Sequence, residues 1–321
     1  MAGEPRSLTF GPVPSRRLGR SVGLNTVPMK TCTYSCVYCQ LGPTTEPTVD
    51  RKSYYRPDSV VRAALECIDR SPSRPDYVTF IGQGEPSLAS NMGEIHDDLK
   101  AQWNGKTALL TNGSLLWDPE VRESSLAFDV VLPTISSCSE EMFRRIHRPH
   151  RSLSFKKVID GITSFSESYA GRLWVETMLI AGFNDDEASL QAIGELLKSI
   201  KLDRVHVAAP IRPPSEKWVR CPPRESIELA LRILPRATDT TSPEGEVFPS
   251  PAEDIVRHLL DIASVHPLRE DQAIDLIVSS GRCRVDASTM LDSLEESSDL
   301  ERREYAGRVF YTRTRKVSEK P

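Results

Sequence analysis

Three cysteines crowd into eight residues of this chain, Cys32, Cys36 and Cys39, in the spacing Cys-x3-Cys-x2-Cys. The chain has seven cysteines in all, an odd number, and its first residues carry no secretory hydrophobic segment, so a disulfide framework is not expected. Thiolate ligation of a metal is the natural alternative. A structural zinc site wants four protein ligands, commonly two Cys-x-x-Cys-like pairs. No second pair stands nearby, and the next histidine is His96. In a [4Fe-4S] cluster, thiolates usually hold all four irons. Three thiolates on one tight loop hold three irons and leave a fourth open, and an open iron is a reaction site. Tyr38 sets an aromatic ring just before the last thiol. A zinc loop, or three idle thiols, is the bland alternative at this point.

A second stretch reads best beside the first. Residues 77–81, Tyr-Val-Thr-Phe-Ile, form an apolar strand that runs into Gly82, Gln83, Gly84, Glu85 and Pro86. Two glycines just past a strand let backbone approach a ligand closely. The pattern lacks the third glycine and the helix start of a dinucleotide fingerprint.

Strand and helix signals alternate along the first two-thirds of the chain. Strands are expected over residues 21–27, 77–81, 107–110, 129–136, 173–180 and 204–210. Helices are expected over 57–70, 95–103, 155–169 and 188–200. Alternation of this kind predicts parallel pairing with right-handed crossovers, and hence an α/β fold built as a partial (β/α)6 TIM-like barrel. Ligands in such folds sit at the C-terminal ends of the strands. Glu85, Thr111, Asn112 and Ser136 stand at or just past those ends. Glu176 lies inside a strand, so its carboxylate needs a partner. It either points into the barrel toward a ribose or substrate group, or pairs with an arginine such as Arg144. Arg16, Arg17 and Arg20 either face an anion near the thiols or bridge loops. Residues 144–151 read as a basic loop, and residues 212–219 as a segment that caps the barrel or simply packs. Cys67 sits beside an apolar helix face and reads as core.

The cysteine loop and the glycine loop together resemble the radical SAM superfamily. The resemblance covers residues 20 to about 210, and its most specific part is the cysteine loop. It implies that Cys32, Cys36 and Cys39 bind a [4Fe-4S] cluster. It implies that Tyr38, Gly82, Gln83, Gly84 and Glu85 shape an S-adenosylmethionine site, with Thr111, Asn112, Ser136 and Glu176 as further candidates. The reaction implied is reductive cleavage of S-adenosylmethionine to a 5′-deoxyadenosyl radical that abstracts hydrogen from a substrate. A low-potential donor such as a flavodoxin or ferredoxin is the implied partner. The substrate is a small molecule, a peptide or an RNA. Gln83 departs from the family pattern by standing between the glycines. More narrowly, residues 11–21 and 31–42 resemble a prokaryotic subgroup related to wyosine-type tRNA synthases. Those enzymes carry extra N-terminal cysteines, and none precedes Cys32 here, so the tRNA reaction is not carried over.

Residues 235–251 are rich in Pro, Thr, Ser and Glu and read as a linker between a core domain (1–234) and a second domain (252–321). That second domain shows helical stripes at 252–264, 271–278 and 287–296, followed by a hairpin about residues 305–308. The order resembles a winged helix, which can place its third helix in a DNA groove. Asp292, Glu295 and Glu296 make that helix acidic and oppose phosphate contact. A substrate- or partner-docking role is therefore preferred to a cluster-containing DNA-binding regulator. The net charge of −4 gives no global pull toward nucleic acid, although residues 6–30 and 302–320 are locally basic. No apolar run reaches bilayer-spanning length, and a cytoplasmic location is expected.

Overall fold

In the computed structural model, residues 8–71, 73–242 and 254–314 are described. The chain opens with a hairpin, β1 (Thr9–Ser15) and β2 (Gly19–Asn25). Two short strands, β3 (Thr31–Cys32) and β4 (Glu46–Pro47), then bracket the cysteine loop. The alternating units are α1 (Pro57–Asp69), β5 (Tyr77–Ile81), α2 (Met92–Gln102), β6 (Lys106–Thr111), α3 (Pro119–Leu126) and β7 (Val130–Pro133). They continue through α4 (Glu140–His147), α5 (Phe155–Ser168), β8 (Arg172–Met178), α6 (Glu187–Lys198), β9 (Arg204–Ala208), α7 (Arg224–Ile233) and β10 (Ala237–Asp239). Eight strands make one sheet in the order β1-β2-β5-β6-β7-β8-β9-β10, parallel throughout except for β1.

Local chemistry explains the elements. Helix α1 begins with Pro57 in its first turn and buries Val60, Val61, Ala64 and Cys67 on one face. Helices α5 and α6 are capped by Ser154 and Asp186, whose side chains accept from Lys157 N and Ser189 N. Strand side chains alternate between two buried faces. Outward residues such as Phe80, Leu109, Val131, Val175 and Val207 pack under the helices. Inward residues Ala108, Val130, Leu132 and Trp174 pack around Leu18, which plugs the N-terminal end of the barrel from the β1–β2 turn. Beside Leu18, Arg16 donates to Thr240 O, which ties one edge of the curled sheet to the other.

The six expected strands are all present. Three expectations need correction. Residues 144–151 are only in part a loop: α4 runs through His147, with Ser139 as its cap and acids in its first turn, and ends where Arg148 takes a left-handed φ of 45°, so 148–151 alone are loop. The proposed linker begins with a strand, because β10 pairs with β9 along its length. Its first residues therefore belong to the sheet, while 243–253 lie outside the described residues. Finally, Arg144 is not the partner of Glu176. It bonds Glu140 and Leu153 O on its own side of the helix pair.

After residue 254 come α8 (Ile255–Val265), β11 (Leu268–Arg269), α9 (Glu270–Val278), α10 (Arg284–Glu296), β12 (Leu300–Tyr305) and β13 (Arg308–Arg313). The three strands form an antiparallel sheet in the order β11-β13-β12. The core of this unit is shared with the barrel, since Phe10 and Val13 of β1 pack among Leu259, Ile262, Leu276 and Leu291.

Candidate active site

The cysteine loop lies across the C-terminal ends of the parallel strands. It is anchored from two sides. On one side, Val37 N donates to Ile146 O at 3.0 Å and Ser35 N to His147 O at 3.0 Å, so α4 backs the loop. On the other, Lys30 N donates to Gln83 O at 2.7 Å and Glu85 N to Thr31 O at 3.0 Å, so the glycine loop lies along β3. A Cβ on Gly84 would fall 2.0 Å from Thr31 O, which is why only glycine permits this approach. Gly82 holds a φ of +121°, a conformation that turns the chain over the end of β5.

Glu85 is fully engaged by neighbouring donors. It is 2% exposed, and its carboxylate accepts from Ser87 N (3.0 Å), Ser87 Oγ (2.6 Å), Thr111 Oγ1 (2.6 Å) and Asn112 N (2.7 Å). Burial pushes its carboxyl above the ordinary range, and these four bonds pull the other way. The side chain is a brace between the glycine loop and the end of β6. Asn112 continues the brace: its Nδ2 donates to Thr33 Oγ1 at 2.7 Å and lies 3.7 Å from Cys32 Sγ. Ser136 is fully buried, and its Oγ accepts from Met178 N at 2.9 Å, joining the ends of β7 and β8.

Around the thiols stand polar groups that sequence reasoning did not single out. Lys30 Nζ is 3.3 Å from Cys39 Sγ. His147 Nδ1 is 3.4 Å from both Cys36 Sγ and Tyr38 OH. Burial alone pushes His147 down to about 3, so it stands as neutral imidazole. Burial also pushes the Cys32 thiol up to about 12, with the Glu85 charge adding to it. The signal for His147 was available: it falls four residues after Phe143 on one helical face, but the basic residues around it hid the stripe.

Inside the barrel, Arg17 pairs with Glu176, a salt bridge between two largely buried side chains. The arginine trio thus bridges: Arg16 to Thr240, Arg17 to Glu176 and Arg20 to Asp76. His206 stands opposite Glu176 in register on β9 and is 1% exposed. Neither of its ring nitrogens has a hydrogen-bond partner among the described residues. Burial first, then Arg17, Arg204 and Arg16, pushes it down to about 3. A cavity of about 280 Å³ lies above this layer, lined by Arg17, Tyr38, Cys39, Thr79, Glu176 and Met178 among others. The site therefore combines three thiols, a backbone cradle and a partly open chamber of mixed polarity at the strand ends.

Comparison with known proteins gives this arrangement its family. The radical SAM superfamily signature matches residues 26–192. The chain belongs to the radical SAM superfamily. It also belongs to the UPF0026 group. It is 34% identical to a UPF0026 protein of Methanocaldococcus jannaschii over 98% of both chains. It is 33% identical to one from Helicobacter pylori over 72% of this chain and 75% of the relative. Among solved structures, a radical SAM methyltransferase from Sphaerobacter thermophilus shares the fold, with a TM-score of 0.53 and 16% identity over 69% of this chain and 67% of that one. This radical SAM protein is accordingly an enzyme whose cofactors are a [4Fe-4S] cluster and S-adenosylmethionine. The residues present suit that pair. Among the described residues, no three His, Cys, Asp or Glu side chains gather closely enough to share one ion. Three free thiols on one loop suit a cluster, in which each takes its own iron. Among the described residues no helix is long and apolar enough to cross a membrane.

Proposed function

We propose that this radical SAM enzyme abstracts hydrogen from a compact substrate group held in the barrel chamber, with Cys32, Cys36 and Cys39 as the cluster ligands. The observation that carries the reading is the placement of these three thiols, on one loop at the strand ends, against the Gly82–Glu85 turn. The chemistry that the bound cofactors supply is one-electron cleavage of the sulfonium to a 5′-deoxyadenosyl radical; the protein contributes position and exclusion of water.

In this reading Gly82, Gln83 and Gly84 offer backbone to S-adenosylmethionine, and Glu85, Thr111 and Asn112 hold that backbone in place. Tyr38 forms the wall next to Cys39. Ser136 fixes the rim between β7 and β8. Glu176 keeps one carboxylate face toward the chamber while Arg17 holds the other. Lys30 near Cys39 places a positive charge beside a thiolate. The electron donor is a flavodoxin or ferredoxin.

The test is anaerobic reconstitution with iron and sulfide, reduction, and assay of added S-adenosylmethionine for 5′-deoxyadenosine. Wild type should form it, and Cys36→Ala should not. Continued formation by the alanine variant would refute the ligand assignment.

We read the C-terminal unit, described from residue 254 on, as winged-helix-like. Its helix and strand order and the β11-β13-β12 sheet support this. The acidic face of α10 favours partner docking over duplex binding. A tRNA-modifying reaction is the second reading; the locally basic runs over 6–30 and 302–320 support it. Loss of one modified nucleoside on deletion of the gene would establish it.

A further inference from the structure

A partial barrel is open at the strand ends, yet a carbon radical survives only where oxygen is kept out. Something must close the mouth. In this protein the C-terminal end of α8 reaches it. Val265 and His266 line the same chamber as Tyr38, Cys39, Gly82 and Glu176. Three core residues fasten that helix end. Gln40 Nε2, one residue past Cys39, donates to Val265 O at 2.9 Å. Arg212 Nε donates to Pro267 O at 3.2 Å, and its Nη2 lies 2.7 Å from His266 Nε2. Gln83 Nε2 makes a longer contact of 3.4 Å with Ser264 Oγ.

These contacts follow from helix chemistry. The last carbonyls of a helix have no partner within it, and a cation is favourable there. Gln40 supplies the donor to the last helical carbonyl, Val265 O, and Arg212 supplies the charge just beyond it. Gln83 is the residue that interrupts the family's paired glycines, and here it faces the added unit. The wall is also stiff, because α8 shares its core with Phe10 and Val13 of β1. A hollow of about 1040 Å³ between the unit and residues 213–221 meets the chamber at Gln40 and Leu41.

We propose that residues 264–267 are the outer wall of the radical chamber, with His266 as the side chain this wall presents to the substrate and Arg212 as its positioning residue. The C-terminal unit is then part of the active site and not only a docking arm. The doorway is the gap beside Gln40 and Leu41. The chamber of about 280 Å³ is shared with S-adenosylmethionine, so the reacting group enters as one compact unit, either a small molecule or a single side chain or nucleotide turned out of its polymer.

This proposal rests on the cluster reading above, and the experiment keeps the two apart. Full-length wild type, His266→Ala, His266→Phe, Gln40→Ala and Val285→Ala are reconstituted anaerobically. Iron content and visible absorbance are measured first, and the rate of bleaching on exposure to air second. Failure of wild type to load a cluster overturns the cluster reading and this proposal with it. With loading intact, His266→Ala and Gln40→Ala should bleach roughly tenfold faster, the factor for about 1.4 kcal/mol of easier local opening. His266→Phe should restore the slow rate by refilling the wall. Val285, exposed on α10 of the same unit, should change nothing. Wild-type bleaching in both alanine variants would overturn the proposal, as would equal acceleration in Val285→Ala. If an alanine variant does not fold, hydrogen exchange of the wild-type amides decides. Residues 38–42 and 264–267 should open together, and independent opening would sink the wall.

Discussion

The two halves of the barrel spend their polar groups differently. On the β5–β6 side, nearly every polar atom at the strand ends is used. Glu85 accepts four hydrogen bonds, Asn112 reaches Thr33, and Thr33 Oγ1 pairs with Ser114 Oγ at 2.7 Å. On the β8–β9 side, capacity is left over. Arg17 Nε and both nitrogens of His206 are buried with no hydrogen-bond partner among the described residues. A buried polar group without a partner costs about 1–3 kcal/mol, so such groups are retained for a reason. In the reading proposed above, the first half is committed to holding the cofactor loops and the second half faces what differs between enzymes of one fold, the substrate.

Breaking the committed half should give the largest effects. Cys36→Ala should lose cluster iron and 5′-deoxyadenosine formation together, read by iron assay and chromatography. Glu85→Ala strands donors on Ser87, Thr111 and Asn112 and should cost about 3 kcal/mol or more in urea unfolding of the cluster-free protein. An equal stability for this variant would show that the brace is not structural. Gly84→Ala forces the loop off Thr31 and should cost about 1–3 kcal/mol, with weaker S-adenosylmethionine binding by calorimetry.

The smallest effect sharpens the contrast from the other side. His206→Leu removes unmatched polar atoms at similar volume, so stability at neutral pH should hold or rise by about 1 kcal/mol. Substrate turnover should nonetheless fall. The pH dependence carries its own sign. Folded His206 refuses a proton until about 3, while its ordinary value is 6.5. Stability from the neutral ring is thus complete above 6.5 and is lost as pH falls toward 3, because the unfolded chain takes up the proton first. The leucine variant should flatten that acid limb, measured as Tm against pH. A destabilised leucine variant with an unchanged acid limb would mean that His206 is ordinary packing.

How legible was this in the chain? The strands of the barrel were readable because each is an apolar run bounded by turn residues. Helix α7 and strand β10 were not, because Pro222, Pro223 and Pro235 around them carry the signature of a linker. Helix α4 was hidden by its arginines, although its buried Phe143 and Ile146 made the apolar stripe. Among site residues, Glu176 was flagged as needing a partner, but its partner stands 159 positions earlier in the chain.

By itself the sequence determined the cofactor chemistry, because a three-thiol loop and a glycine turn are local patterns set by spacing. Only the tertiary structure decided which carboxylate braces and which one faces the chamber, and what closes the barrel. Those depend on pairings such as Arg17 with Glu176 and Gln40 with Val265, made between segments far apart in sequence. Local periodicity cannot encode a contact whose energy comes from burying two distant groups together.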